Sequence, residues 1–287
     1  MATAPYRLEF YDQPESATCL RYRFPEFPVG AEAWFLLQAD NHIDHVLANH
    51  RLMTRTWKKA IQRQARGLVF GDFFCAMQGK WDKRKSMAAL RPELAKDNYL
   101  QVLPAYAAEI VRPYKDIFDL WTPGNHEQSI LDHHQFDLLQ ALVEQLNGVD
   151  QDQIKIGSMR GWVMFDLAGH LIRLHYTHGY GGGGPVTKDT IQINRQMNWL
   201  GDVDILVSSH THDQLYLPLC QMYLDDDGVP QERTVHCIKV GNYKPEHRTG
   251  RGYTALKGHG PKPLGAWWLH FTNDEEDGVK IDVLRAA

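Results

Sequence analysis

Four cysteines in 287 residues, none in a C-x-x-C pair, leave no disulfide framework and no thiolate zinc motif to read. Cys19, Cys75, Cys220 and Cys237 read instead as free, mostly buried thiols of a reducing compartment. No run of 18 apolar residues occurs, so no transmembrane helix is expected. The start, MATAPYRLEF, lacks the basic and apolar regions of a secretion signal. The expectation is a cytoplasmic protein with no membrane partner. Positive charge is not in excess: the formal net charge is −4, which counts against non-specific coating of DNA. Internal repeats, low-complexity linkers and composition breaks are also missing. With 43% hydrophobic and 23% charged residues, the chain reads as one globular domain over 1–287 with a sizeable core.

What is present is a series of five short polar motifs, each at the end of an apolar, strand-like run. They are Asp40-Asn41-His42 after AWFLLQA, Gly71-Asp72 after GLVF and Gly124-Asn125-His126-Glu127 after IFDLWTP. His178-Gly179 follows LIRLHYT, and His210-Thr211-His212 follows DILVSS. Asp, His and Asn suit a core poorly unless they are paired or bind metal. In open α/β sheets the edge where strands end is where ligands bind.

Residues 5–27 alternate as a lead-in hairpin, and 33–39 form the first buried strand. A helix is expected over about 43–66, short strands at 68–70 and 118–121, and a helix over 129–147. Residues 75–115 read as a helical, basic excursion over the site. Strands at 156–167 and 171–177 would turn at Ala168-Gly169-His170, with a helix over 187–200 and a strand at 204–208. From about 214 onward short strands dominate. Two sheets packed face to face with helices outside fit this order.

The candidate ligands Asp40, His42, Asp72, Asn125, His178, His210 and His212 supply imidazole nitrogens, carboxylates and an amide oxygen. That donor set suits manganese, iron or zinc better than calcium or magnesium. A carboxylate such as Asp72 can bridge two ions, and ions about 3.5–4 Å apart can hold a hydroxide for in-line attack at phosphorus. The i, i+2 spacing in Asp40-x-His42 and His210-x-His212 puts both side chains on one side of an extended segment. His126 follows Asn125 directly and can stand beside the metals as a proton donor. Singly these motifs are common; the reading rests on all five in this order. Cys75, three residues after Asp72, is not needed to complete the set.

These residues resemble the calcineurin-like metallophosphoesterases, whose blocks run D-x-H, G-D, G-N-H-[DE], H and G-H-x-H. All five are matched between residues 40 and 212, with Ser209 where the family has Gly before the last H-x-H. The Gln78-Gly79-Lys80 stretch and the Gly-rich loop look similar to members carried by phages and prophages. The resemblance implies a four-layer α/β/β/α sandwich of two mixed sheets. It implies one metal on Asp40, His42, Asp72 and His212, and another on Asp72, Asn125, His178 and His210. The cofactor would be two divalent ions, manganese first, with iron, zinc, nickel or magnesium as alternatives. His126 would be catalytic, and Asp40 would orient it as well as bind metal.

The expected activity is phosphoester hydrolysis, a phosphodiesterase acting on nucleic acid or nucleotides, since His126 can protonate a poor leaving group. A phosphomonoesterase and a non-catalytic metal-binding scaffold are the alternatives. Lys80-Trp81-Asp82-Lys83-Arg84-Lys85 reads either as a phosphate-gripping lip, with Lys80 and Arg84 on substrate, or as a solvated helix start. His133 or His134 would face substrate or the helix surface. Glycines 181–184 read as a flexible lip. Gly241-Asn242-Tyr243-Lys244 would wall the pocket, with Tyr243 or Lys244 reaching substrate. Trp267 and Trp268 read as strand residues with one ring inward and one outward, core being the default.

Overall fold

The alternation of apolar strands with capped helices produces two stacked sheets. The computed structural model describes residues 4–12, 18–76, 89–148, 153–182, 184, 186–249, 258 and 260–286. One sheet has six strands: β3 (Glu32–Gln38), β4 (Arg66–Phe70), β5 (Phe118–Thr122), β6 (Lys155–Ile156), β12 (Ala266–Asp274) and β13 (Gly278–Ala286). Their order is β13-β12-β3-β4-β5-β6, with β3 to β6 parallel. The other has seven: β1 (Arg7–Tyr11), β2 (Thr18–Phe24), β7 (Arg160–Leu167), β8 (His170–Thr177), β9 (Ile205–Ser208), β10 (Leu215–Leu224) and β11 (Pro230–Lys239). Their order is β1-β2-β7-β8-β9-β11-β10, and β8, β9 and β11 run parallel.

Three apolar clusters divide the space between layers. Phe35, Leu37, Leu68, Phe70, Phe165 and Leu174 fill the gap between the sheets. Trp57, Leu103, Phe118, Trp121 and Leu142 lie between the six-stranded sheet and the helices α1 (His50–Gln62), α2 (Tyr99–Val111) and α4 (Leu138–Asn147). A smaller cluster with Ile193 and Leu206 joins the other sheet to α5 (Thr190–Met197). The result is the four-layer α/β/β/α sandwich of two mixed sheets. Because both faces of β12 are covered, Trp267 packs between the sheets and Trp268 against the helices. The two rings thus leave the strand on opposite faces, as expected, and both are core residues.

Several boundaries differ from those expected, each for a local reason. α1 begins only at His50, where Asn49 caps it by accepting the Leu52 N–H at 3.0 Å. The single helix expected over 129–147 is two, α3 (Asn125–His134) and α4, broken where Gln135 turns left-handed and Asp137 caps the next helix. The strand expected at 156–167 changes sheets: Lys155–Ile156 extends the six-stranded sheet and Arg160–Leu167 enters the other. Of the excursion expected over 75–115, residues 77–88 lie outside the described set. The described part carries α2, the helical character expected there. Leu94, Leu103, Ala107 and Val111 are buried in the helical layer's core.

One polar network ties the sheets together. Asp119 on β5, almost fully buried, accepts from Tyr22 Oη on β2 at 2.7 Å and from Arg66 Nε on β4 at 2.7 Å. A buried carboxylate left without its cation is costly. We expect Arg66→Met to lower stability by about 3–5 kcal/mol and Tyr22→Phe by about 1 kcal/mol, read from urea midpoints. Equal, sub-kilocalorie effects would show that Asp119 does not depend on its cation.

Candidate metal centre

The three parallel strands β3, β4 and β5 end at the same edge as β8 and β9 of the facing sheet. Each delivers one of the five motifs there: Asp40 and His42 past β3, Asp72 past β4, Asn125 past β5, His178 past β8, and His210 and His212 past β9.

The backbone at this edge is strained to bring the side chains together. Asp40, His42, Asp72, His210 and His212 all have φ between 46° and 74°, a region non-glycine residues seldom occupy. The i, i+2 pairs therefore converge through left-handed turns, not through the extended segments expected. Two glycines are needed where loops press together. A Cβ on Gly71 (φ +86°) would stand 2.3 Å from His178 Nδ1, and one on Gly124 would stand 2.1 Å from Asp72 Oδ1.

The ligand atoms form two groups, Asp40 with His42 and His212, and Asp72 with His178 and His210. In the first, His42 Nε2 and His212 Nε2 face each other at 3.0 Å, and Asp40 Oδ1 lies 4.0 and 3.6 Å from them. In the second, His178 Nε2 is 3.1 Å from Asp72 Oδ2 and 3.1 Å from Asn125 Oδ1, which is 2.7 Å from His210 Nδ1. Asp40 Oδ1 is buried with no hydrogen-bond donor among the described residues. An orphaned carboxylate oxygen opposite two imidazole nitrogens is what a cation would satisfy. The donor atoms thus fit divalent metal.

Second contacts fix the ligands. His178 Nδ1 meets the Phe70 carbonyl at 3.0 Å, which leaves Nε2 free for metal. Asp40 Oδ2 accepts the His210 N–H at 3.0 Å. Ser209, where glycine was expected, is used: its buried hydroxyl reaches the carbonyls of Phe70 (2.9 Å) and His178 (2.8 Å). His126 Nδ1 meets the Cys75 carbonyl and its Nε2 lies 3.7 Å from Asp72 Oδ2. The orienting contact expected of Asp40 is therefore made by Asp72 and the Cys75 backbone. The Cys75 thiol groups with His42 and His126, and burial pushes its pKa up, so it stays a neutral thiol.

Two supporting residues had no role in the sequence reading. Glu127, buried, accepts N–H groups from Asp72 (3.1 Å), Phe74 (2.8 Å) and Gly124 (2.8 Å), joining the loops after β4 and β5. Only its place in the G-N-H-[DE] block pointed to it. Asp189 at the start of α5 accepts from Thr211 Oγ1 and pairs with buried Lys239 Nζ at 2.5 Å. Nothing in the sequence marks that pair, because its members come together only through the crossover of α5.

Of the expected substrate contacts, Lys80 and Arg84 lie outside the described residues. His134 sits in the last turn of α3, about 12 Å of helix rise from His126. Tyr243 is corrected outright: its ring is fully buried in the helix-side core, and only its backbone serves the site, with its N–H on the Asp40 carbonyl at 3.2 Å.

Electrostatics leave two imidazoles ready to bind metal and a third protonated. Burial, then the nearby Lys244 cation, holds His42 and His212 well below the usual imidazole range, so both are neutral. Burial pushes Asp40 up to about 7, with Asp72 adding to the rise. Burial opposes ionisation of Asp72 too, but His178 and His126 outweigh it and keep that carboxyl well below its usual range. His178 is raised to about 10: burial disfavours its charge, and Asp72 overrides that. A ligand must be deprotonated. Metal binding at pH 8 should therefore displace about one proton, from His178, and affinity should climb with pH towards 10. Calorimetry in buffers of different ionisation heat measures this; no proton release would remove His178 from the ligand set.

No protein-family model matches the chain, and no curated protein does. Solved structures do. A metallophosphoesterase from Sphaerobacter thermophilus is 13% identical, covering 88% of this chain and 87% of its own, at a TM-score of 0.38. A predicted phosphoesterase from Streptococcus pneumoniae is 12% identical, with 89% and 91% covered and a TM-score of 0.34. Vps29 from Entamoeba histolytica, solved in complex with zinc, is 13% identical, with 88% and 99% covered, also at 0.34. Superpositions this loose establish neither family nor function; the side chains carry the reading.

Proposed function

We propose that this protein is a metal-dependent phosphohydrolase with two ions, most specifically a phosphodiesterase acting on nucleic acid or nucleotides. The observation that carries the proposal is the pair of adjacent donor groups, Asp40-His42-His212 and Asp72-His178-His210, with His126 beside them. Asp72 would serve both ions, and Asn125 would complete the second set. When bound, the ions would lower the pKa of a water and polarise a phosphoryl oxygen.

The rest falls to the chain. Asp40 and Asp72 supply the negative charge that keeps two cations together. The carbonyl of Phe70 and the hydroxyl of Ser209 hold the His178 ring in one orientation. His126, tied through Nδ1 to the Cys75 carbonyl, presents Nε2 3.7 Å from Asp72 Oδ2 and would act as the proton donor. Its proton can pass to a leaving alkoxide. An intact proton donor suits substrates whose leaving group is a poor alkoxide, as in a nucleic-acid diester. The nucleic-acid preference rests on the Lys80–Lys85 stretch of the sequence alone. No described helix is long and apolar enough to cross a membrane.

Metal-stripped protein reconstituted with manganese should hydrolyse bis-p-nitrophenyl phosphate, and Asp72→Asn should lose about a hundredfold or more, several kcal/mol of transition-state stabilisation. Near-normal turnover in that variant would contradict a shared carboxylate. His126→Ala should keep its metal content and slow cleavage of an alkoxide-leaving dinucleotide by about 10²–10⁴-fold, with a smaller loss on p-nitrophenyl esters. A variant that sheds metal instead would make His126 a ligand.

A further inference from the structure

A cleft opens beside the metal centre, lined by His212, Asn242, Lys244, Glu246 and Lys262 among others. Of the seven candidate ligands only His212 touches it, so the cleft lies next to the ion pair and not over it. Its two cations are held firmly. Asn242 donates to the His212 carbonyl at 3.0 Å, the Tyr243 N–H to the Asp40 carbonyl at 3.2 Å, and the Lys244 N–H to Asn242 Oδ1 at 2.7 Å. The Lys244 backbone is thus bolted to both segments of the first donor group. Lys262 Nζ reaches the Thr211 carbonyl and lies 3.2 Å from Asp213 Oδ2, gripping the residues on either side of His212.

Both cations are kept charged beside the donor group, Lys244 by Glu246 and Lys262 by Asp213. The Lys244 side chain is only 5% exposed and pairs with Glu246 at 2.6 Å. A buried ammonium is costly, and an ion pair needed only for structure is often matched by apolar residues. Through Asn242 and Tyr243 its backbone is tied to the His212 and Asp40 carbonyls, so Lys244 stands beside the first donor group. It therefore adds positive charge beside a group that must itself attract cations. Like charges so close are tolerated when an anion lies between them. An ammonium offers three N–H donors, more than Glu246 occupies for Lys244.

We propose that Lys244 and Lys262 form an anion subsite flanking His212 that holds a second phosphate of the substrate, next to the phosphoester being cleaved. Two ammonium groups match a phosphate dianion better than a single carboxylate charge. The substrate class is then a nucleotide or oligonucleotide end carrying a further phosphate. This substrate assignment rests on the phosphodiesterase reading above; the anion subsite itself does not.

Two measurements separate the two ideas. In the first, the manganese-loaded protein is given a thymidine dinucleotide with and without a 5′-phosphate. Charge-assisted hydrogen bonds contribute about 1.5–3 kcal/mol, so the wild type should prefer the phosphorylated form by about tenfold or more in kcat/KM. The ratio should fall towards one in Lys244→Met and in Lys262→Met, the second of which leaves the buried Lys244–Glu246 pair intact. No preference in the wild type, or a preference that survives both substitutions, overturns the subsite. In the second, inorganic phosphate is titrated calorimetrically into metal-free protein. Binding that is lost in Lys262→Met supports the subsite even if the loaded protein cleaves no phosphoester, an outcome that would sink only the proposed function. No phosphate binding by the folded wild type overturns the subsite whatever the activity.

Discussion

Two buried carboxylates, Asp40 and Asp72, set the terms for everything around them. Each is almost inaccessible to water, and an isolated ionised carboxylate in such a place is strongly disfavoured. The fold meets this cost with backbone N–H groups from His210 and His126, with the imidazole of His178, and with an arrangement that places neutral His42 and His212 opposite Asp40. What those groups leave unsatisfied, above all Asp40 Oδ1, is the demand for a cation. The left-handed backbone at five ligand residues is the conformational cost of gathering so many polar atoms at one sheet edge.

The architecture makes that gathering possible. Parallel strands put their carboxyl ends on one side, and stacking two sheets brings two such edges face to face. β3, β4 and β5 supply carboxylates, one imidazole and an amide; β8 and β9 supply three imidazoles. Neither sheet alone holds a complete set. The Asp119 network between the sheets and the Glu127 link between loops keep the halves in register. The Asp189–Lys239 pair does the same for the His210–His212 loop. Phe70, Phe35 and Phe165 pack in the core between the two sheets that carry these loops.

Much of this was readable in the chain because strand ends and polar motifs coincide. Asp40, His42, Asp72, Asn125, His178, His210 and His212 stand out as residues that apolar strands should not need, and the structure brings them into two adjacent groups. What was not readable depends on three-dimensional crossings. Tyr243 follows a strand and looks like a pocket wall, yet it points into the helix-side core because the loop is pinned by its backbone. Its neighbour Lys244 is the residue turned towards the cleft. Residues 156–167 look like one strand because periodicity does not report a change of sheet at 157–159. The left-handed turns at Asp40 and His42 are likewise invisible to a pattern that assumes extended chain.

The central claim is two adjacent ions sharing Asp72. Electron paramagnetic resonance of the manganese-reconstituted protein, with metal content measured on the same sample, tests it most directly. Two ions about 3.5–4 Å apart predict two manganese per chain and an exchange-coupled spectrum. One manganese per chain, or two with the spectrum of isolated ions, would contradict a shared centre.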